Sequence, residues 1–350
     1  MNSLFTGVQG TECRLACYQN YFHYHNIPLS EALMYFSGKG FQTVYRRDTE
    51  GANKQCNLTS DVNGAIRTFC GKYGINIHQS VQKLEQFKQE LSRAIQINNP
   101  VILKVDAGSL KYHRAFSNSK GVEHYFLIIQ MDDSGVYISD GYVPSTPNTT
   151  YEGWISWSDL QHSIDTGNVQ YVEIDATSLA SFRVVWNAEW EMSELYQSVM
   201  DAVDDYLIGG FAAEEGIYYG ISALEQYTDD MSHFTDWFAG DYTGKMLEQQ
   251  NILKNWGFLT GRKLLLIALK LLKNTLPFLE PHLRILEQTD AEWKNVNMYL
   301  VKAALSKRES DLLLIQNKIV NLAAKETHVL MELQKGRVEG IYAGNKIISS

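Results

Sequence analysis

Thr11-Glu-Cys13-Arg-Leu-Ala-Cys17-Tyr-Gln-Asn-Tyr-Phe-His-Tyr-His25 is the segment best equipped for covalent chemistry. Thr11 reads as the cap of a helix whose first turn holds Cys13. Between Cys13 and Asn26 the only full charge is Arg14, so this helix reads as enclosed on most sides. A thiol in its first turn sits at the positive end of the helix dipole, which favours thiolate and predicts a lowered pKa. The plain alternative is that Cys13 and Cys17, four apart on one face, are small core residues. A metal pair is a weaker alternative. Cys56 and Cys70 would have to complete it, and the sequence offers no Cys-x-x-Cys or His-x-x-x-His partner. Neither a metal nor a resident cofactor is expected.

A second constellation gives the thiol a use. Glu123-His124-Tyr-Phe-Leu-Ile-Ile-Gln130 reads as a strand, Asp132-Asp-Ser-Gly135 as a turn and Val136-Tyr-Ile-Ser-Asp140 as the returning strand. A fold about residue 133 sets His124 opposite residue 142 and makes Asp140 its diagonal neighbour on the same face. Asp140 can then hold one imidazole nitrogen while the other is aimed at a nucleophile. Cys13 is expected to be that nucleophile, His124 the general base and acid, and Asp140 the orienting group. His23 and His25 lie about 15–18 Å along the helix from Cys13 and are read as structural. The remaining histidines show no partner pattern.

These residues resemble a known pattern. Glu12-Cys-Arg-Leu-Ala-Cys17 is similar to the opening of bacteriocin-processing peptidase domains. With its continuation Tyr24-His-Asn-Ile-Pro-Leu-Ser-Glu31 and Phe36-Ser-Gly-Lys-Gly40, it resembles the butirosin biosynthesis protein H family more closely. The resemblance implies a papain-like fold that makes amides instead of cutting them. An acyl group would pass from a carrier-protein thioester to Cys13 and then to an amine acceptor, in the biosynthesis of an antibiotic or another specialised metabolite such as a nonribosomal peptide. Phosphopantetheine would arrive on the carrier. The sequence departs from the pattern in two places. Arg14 follows the cysteine where the peptidases have glycine, and the glutamine that papain-like enzymes use for the oxyanion is represented only by Gln9. Gln9 is therefore the side chain expected at the oxyanion, beside the backbone N–H of Cys13.

The elements that must position these residues fall into two textures. Over residues 40 to 178 short β-type runs alternate with helices, including a helix from Val81 to Gln96 with Ser80 as cap. Beyond residue 180, Glu189–Leu207, Phe211–Gln226, Arg262–Lys273, Ala291–Leu305 and Asp311–Gln334 carry helical spacing. The expected fold class is α+β. A papain-like catalytic domain over residues 1–178 is followed by a mostly helical domain over 179–350 that binds substrate or carrier and excludes water from the acyl-enzyme.

Composition narrows the field. The chain has 350 residues, 45% of them hydrophobic, and a net charge of −9, which argues against general nucleic-acid binding. Its most apolar run, Leu264 to Leu272, is too short to span a bilayer. The opening Met-Asn-Ser-Leu-Phe-Thr-Gly lacks the marks of a secretion signal, so the cytoplasm is expected. Residues 249 to 279 contain no acid but do contain Arg262, Lys263 and Lys270. Those three are expected to form a basic landing face for an acyl or peptidyl carrier protein. Two other functions fit the same residues: a cysteine peptidase or amidase, and a non-catalytic scaffold that binds carrier proteins.

Overall fold

Antiparallel pairing organises the N-terminal half. The structure, a computed structural model, describes residues 5–48, 55–117, 119–144, 149–164, 167–212, 216–255 and 257–347, with side chains up to 337. It divides into two compact units, residues 1–34 with 66–191 and residues 35–65 with 192–350. Packing therefore joins the stretch from Tyr35 to Ala65 to the C-terminal half, whereas the sequence reading placed a single cut at 178/179.

The first unit holds six antiparallel strands. In chain order β3 is Ile77–Lys83, β4 Val101–Asp106, β5 Glu123–Met131, β6 Gly135–Val143, β7 Thr149–Ser156 and β8 Asn168–Ile174. They lie side by side as β3-β8-β4-β5-β6-β7. Helix α4 (Leu84–Gln96) presses Phe87, Leu91 and Ala94 into a core with Val101, Leu103, Phe126, Ile128, Val136 and Ile138. Helix α1 (Cys13–Tyr24) packs along β5 and β6.

The hairpin follows the expected register. Leu127 pairs with Ser139 and Ile128 with Ile138, which is a fold about residue 133, and a bulge follows Ile128. The turn closes because Asp132 Oδ1 accepts from the N–H of Ser134 at 2.7 Å and of Gly135 at 3.1 Å. An aspartate that bonds the backbone two and three residues on favours the turn locally. Ser80, by contrast, caps nothing. The strand β3 runs on to Lys83, with Val81 paired to Gln170 and Lys83 to Asn168, so ladder formation with β8 delays the helix until Leu84.

The second unit contains a four-stranded sheet in the order β2-β1-β10-β9, where β1 is Thr43–Asp48, β2 Gln55–Ser60, β9 Gly210–Ala212 and β10 Ile217–Tyr219. The expected helix from Phe211 to Gln226 is thus two short strands and then helix α8 (Gly220–Asp230), with residues 213–215 outside the described set. Glycine makes the break. Gly220 has φ 59°, and a Cβ on it would lie 2.3 Å from the Tyr206 carbonyl oxygen. Ile217-Tyr-Tyr219 then pairs with Val44-Tyr45-Arg46. Further helices of the C-terminal half include α7 (Ala188–Ile208), α10 (Tyr242–Asn255), α11 (Phe258–Leu272), α12 (Glu280–Ser306) and α13 (Glu309–Ile347). Their core contains Tyr45, Leu58, Leu224, Trp293, Leu300 and Ile315. No helix among the described residues is long and apolar enough to cross a membrane.

Candidate active site

Cys13 is the first residue of α1, and its helix is capped by Glu12, not by Thr11. The Glu12 carboxylate accepts from the N–H of Arg14 at 2.9 Å and of Leu15 at 3.1 Å. Thr11 faces the other way: its N–H and hydroxyl both donate to Glu31, at 2.9 and 2.7 Å to Oε2. Further ties hold the approach to the helix. Val8 exchanges hydrogen bonds with buried Asn20, and the Gly10 N–H donates to the Gly141 carbonyl at 2.8 Å. Only glycine fits at position 10, because a Cβ there would lie 2.2 Å from Glu31 Oε1. Gln9, between these anchored residues, is exposed.

The strands bring two of the expected residues together. His124 Nε2 lies 2.7 Å from Asp140 Oδ2, and both residues are buried. Residues on either side of His124 touch the neighbour of Cys13: Arg14 Nη1 is 3.6 Å from Glu123 Oε1, and its guanidinium lies 5.7 Å from the Tyr125 ring centroid. Cys13 thus stands beside the start of β5. Its Sγ donates to Glu12 Oε1 at 3.4 Å, and no hydrogen bond joins it to His124 among the described residues. Asp140 holds Nε2 of His124, so Nδ1 is the ring nitrogen that this carboxylate does not engage.

A histidine absent from the sequence reading completes the cluster. His113 is fully buried, with Nε2 3.1 Å from both Asp140 Oδ2 and His124 Nε2. Tyr112 adds a hydroxyl donor to the same oxygen at 3.0 Å, and its ring stacks on Tyr151 with centroids 3.8 Å apart. The loop that carries them is closed at its base by Asp106, whose carboxylate accepts from the N–H groups of Gly108, Gly121 and Val122 at 3.0–3.1 Å. Asp106-x-Gly108 was the local signal available, as an Asx turn opening a loop.

Electrostatics follow from this packing. Burial by itself would raise the Asp140 carboxyl, but the electrostatic influence of the adjacent His124 ring and the bonds from His113, His124 and the Tyr142 N–H hold it down at about 2. Burial keeps His113 below the ordinary histidine value. Burial also pushes the Cys13 thiol well above the usual range, and the Glu12 carboxylate adds to that rise. The expected lowering by the helix dipole is therefore overturned. A carboxylate cap in contact with the sulfur opposes the dipole at close range. At rest the Cys13 sulfur is a thiol.

Two expectations follow. Cys13 is the one cysteine of the four that is not buried, so alkylation should label it first. Its rate should keep rising through pH 9, and Glu12→Gln should speed labelling several-fold at pH 7.5 by removing the adjacent charge. Peptide mapping after limited alkylation reads both, and faster labelling at Cys17, Cys56 or Cys70 would reverse the assignment. The second expectation concerns acid. Asp140 ionises at a lower pH folded than unfolded, so its stabilisation is complete above about pH 4 and is lost as the pH falls toward about 2. His113, and His25 with its value lowered to about 4 by burial, bind protons less readily folded, so they add an earlier loss below about pH 6.5. Urea titrations across pH should show this two-stage decline, with the lower stage reduced in Asp140→Asn.

The other expected site residues lie in the second unit. Arg262 is buried, with Nε and Nη2 bound to Glu326 at 3.1 and 3.0 Å and its guanidinium 3.6 Å from the Phe258 ring centroid. It forms no landing face. Lys270 is half-exposed and pairs with Glu287 at 2.6 Å. Lys263 is partly exposed and has a partner. Cys56 lies in this unit too, and all four cysteines are free thiols.

A cysteine at the start of a helix, next to a histidine–carboxylate pair on adjacent strands, defines a candidate for nucleophilic cysteine chemistry. One comparison falls on the segment concerned. Residues 12–141 match the family model described as butirosin biosynthesis protein H, N-terminal. A curated relative, the uncharacterized protein YobF of Bacillus subtilis (strain 168), is 32% identical over 96 residues, covering 24% of this chain. The match spans 31% of that protein's length.

Proposed function

We propose that the chain is a cysteine-dependent acyltransferase with a papain-like catalytic region, forming amides in a biosynthetic pathway. The observation that carries the reading is the buried His124–Asp140 pair, set beside the helix start that presents Cys13. The family description, butirosin biosynthesis protein H, supports a biosynthetic setting. The raised Cys13 value shapes the mechanism. Because the resting sulfur is protonated, His124 Nδ1 must remove its proton as the sulfur attacks a thioester carbonyl. The departing thiolate takes that proton from the imidazolium, leaving acyl-S-Cys13 and a free donor thiol. An amine then attacks the acyl carbon, loses a proton to His124, and the Cys13 thiol is restored as the amide leaves. The backbone N–H of Cys13 is the proposed oxyanion donor. Gln9, which is exposed, is a second candidate. If water replaces the amine, the same acyl-enzyme makes the chain a cysteine hydrolase.

Intact-protein mass spectrometry with acyl thioesters, on carrier proteins or small thiols, tests this directly. The chain should gain the mass of one acyl group, and added amine should remove it with amide formation. Loss of the adduct to water at the same rate with or without amine would establish the hydrolase. Absence of any adduct across donors would reject both.

A further inference from the structure

His113, His124 and Asp140 present three ligand atoms that all lie within 4.8 Å of one another, on residues with no more than 2% exposure. The separations are 3.1 Å between the two Nε2 atoms, 3.1 Å from His113 Nε2 to Asp140 Oδ2 and 2.7 Å from His124 Nε2 to the same oxygen. Both imidazoles compete for one carboxylate oxygen, which Tyr112 also uses. When both nitrogens carry protons, these point toward a single acceptor while the nitrogens themselves stand 3.1 Å apart. A divalent cation replaces both protons at once.

The geometry suits such an ion. At zinc–ligand distances of roughly 2.0–2.2 Å, a centre bound to all three atoms would sit about 1 Å off their plane, with at least one position open to water. Tetrahedral ligands stand a few tenths of an ångström farther apart than these atoms do. Losing the hydrogen bonds removes what draws them together. Two neutral imidazoles and one carboxylate suit zinc and its borderline neighbours better than magnesium or calcium, which favour all-oxygen sites. The carboxylate also offsets one of the two positive charges of a buried dication.

We propose that His113, His124 and Asp140 bind one zinc-class divalent ion, and that this bound state excludes the base function of His124. The exclusion, which rests on the acyltransferase reading, follows from proton placement. An ion on Nε2 leaves the imidazole proton on Nδ1, the nitrogen that must be bare to accept the proton of Cys13. The ion is thus an occupant that silences the site, not a cofactor of the reaction. Binding itself does not depend on that reading.

Equilibrium dialysis of the full chain against zinc chloride, with Cys13→Ala as background to remove thiol-bound metal, tests the site. One equivalent should bind, and cobalt(II) in its place should give the intense visible bands of a low-coordinate nitrogen–oxygen site. Outer-shell partners alone are worth about 10–100-fold in affinity, so His113→Gln and Asp140→Asn should each weaken binding by on the order of 10²-fold or more. Circular dichroism identifies the variant that keeps its fold, and that variant decides. No binding in the Cys13→Ala chain, or equal affinity in the folded variant, overturns the proposal. Acylation of Cys13 in metal-free buffer is read separately, so failure of the acyltransferase reading leaves the metal result intact.

Discussion

A Cys13→Ala chain should form acyl-enzyme at least on the order of 10³-fold more slowly than the native chain, with no detectable adduct in the time the native protein saturates. The size of the effect reflects the loss of the bond-forming atom, which no neighbour can replace. Cys17 is one turn farther along α1 and fully buried, and Glu12 offers oxygen, not sulfur. Folding should be nearly unaffected, because Cys13 is partly exposed and Ala suits a helix start. Cys17→Ala is the informative contrast. It empties a buried position, costs about 1 kcal/mol of stability and should leave the acyl adduct in place. Mass spectrometry beside urea unfolding separates the two residues. An undiminished adduct in Cys13→Ala would move the nucleophile elsewhere.

The second large effect is structural. Arg262→Met should destabilise the second unit by about 3–5 kcal/mol, since it leaves Glu326 buried with only the Trp293 indole N–H, at 2.6 Å, as partner. Glu326→Leu should cost a similar amount by stranding the guanidinium between Phe258 and Trp293. The double variant should lose much less than the sum, because no charge is then left buried and only the Trp293 N–H lacks a partner. Unfolding midpoints of the four chains form the cycle. Single losses below about 1 kcal/mol would place this pair with ordinary surface ion pairs. Charge reversal at Arg262 should therefore abolish folding before it could report on any docking.

How far the sequence could be read depends on the distance over which each signal acts. The hairpin was legible because its turn, its alternation and its register are set within about twenty residues, from Glu123 to Val143. The helix of Cys13 was legible for the same reason. Its cap was not, since Glu12 is a less usual cap than Thr11 and the competitor that draws Thr11 away is Glu31. His113 was missed because a loop, not a repeating strand, carries it to Asp140. Nothing in residues 107–122 indicates where that loop docks. Arg262 was misread because an acid-poor stretch looks basic until Glu326, sixty-four residues on, neutralises it. The strands β2 and β7 were overlooked because Gln55-Cys-Asn-Leu-Thr-Ser60 and Thr149-Thr-Tyr-Glu-Gly are too polar to stand out from loops.

The division of the chain has a consequence for how the protein comes into being. Residues 35–65 belong with the second unit, yet the whole stretch 66–191 separates them from the rest of it. During synthesis the β1–β2 hairpin leaves the ribosome long before Ile217-Tyr-Tyr219 exists to complete its sheet. Through that interval β1 offers an open edge, and Tyr45, Cys56 and Leu58 lack the helices that will bury them. The first unit can acquire its six-stranded sheet meanwhile, because every strand of it lies between residues 77 and 174. The second must wait for nearly the whole chain. A fragment starting at residue 179 would lack half of its four-stranded sheet, so the two units cannot be obtained by cutting the chain once.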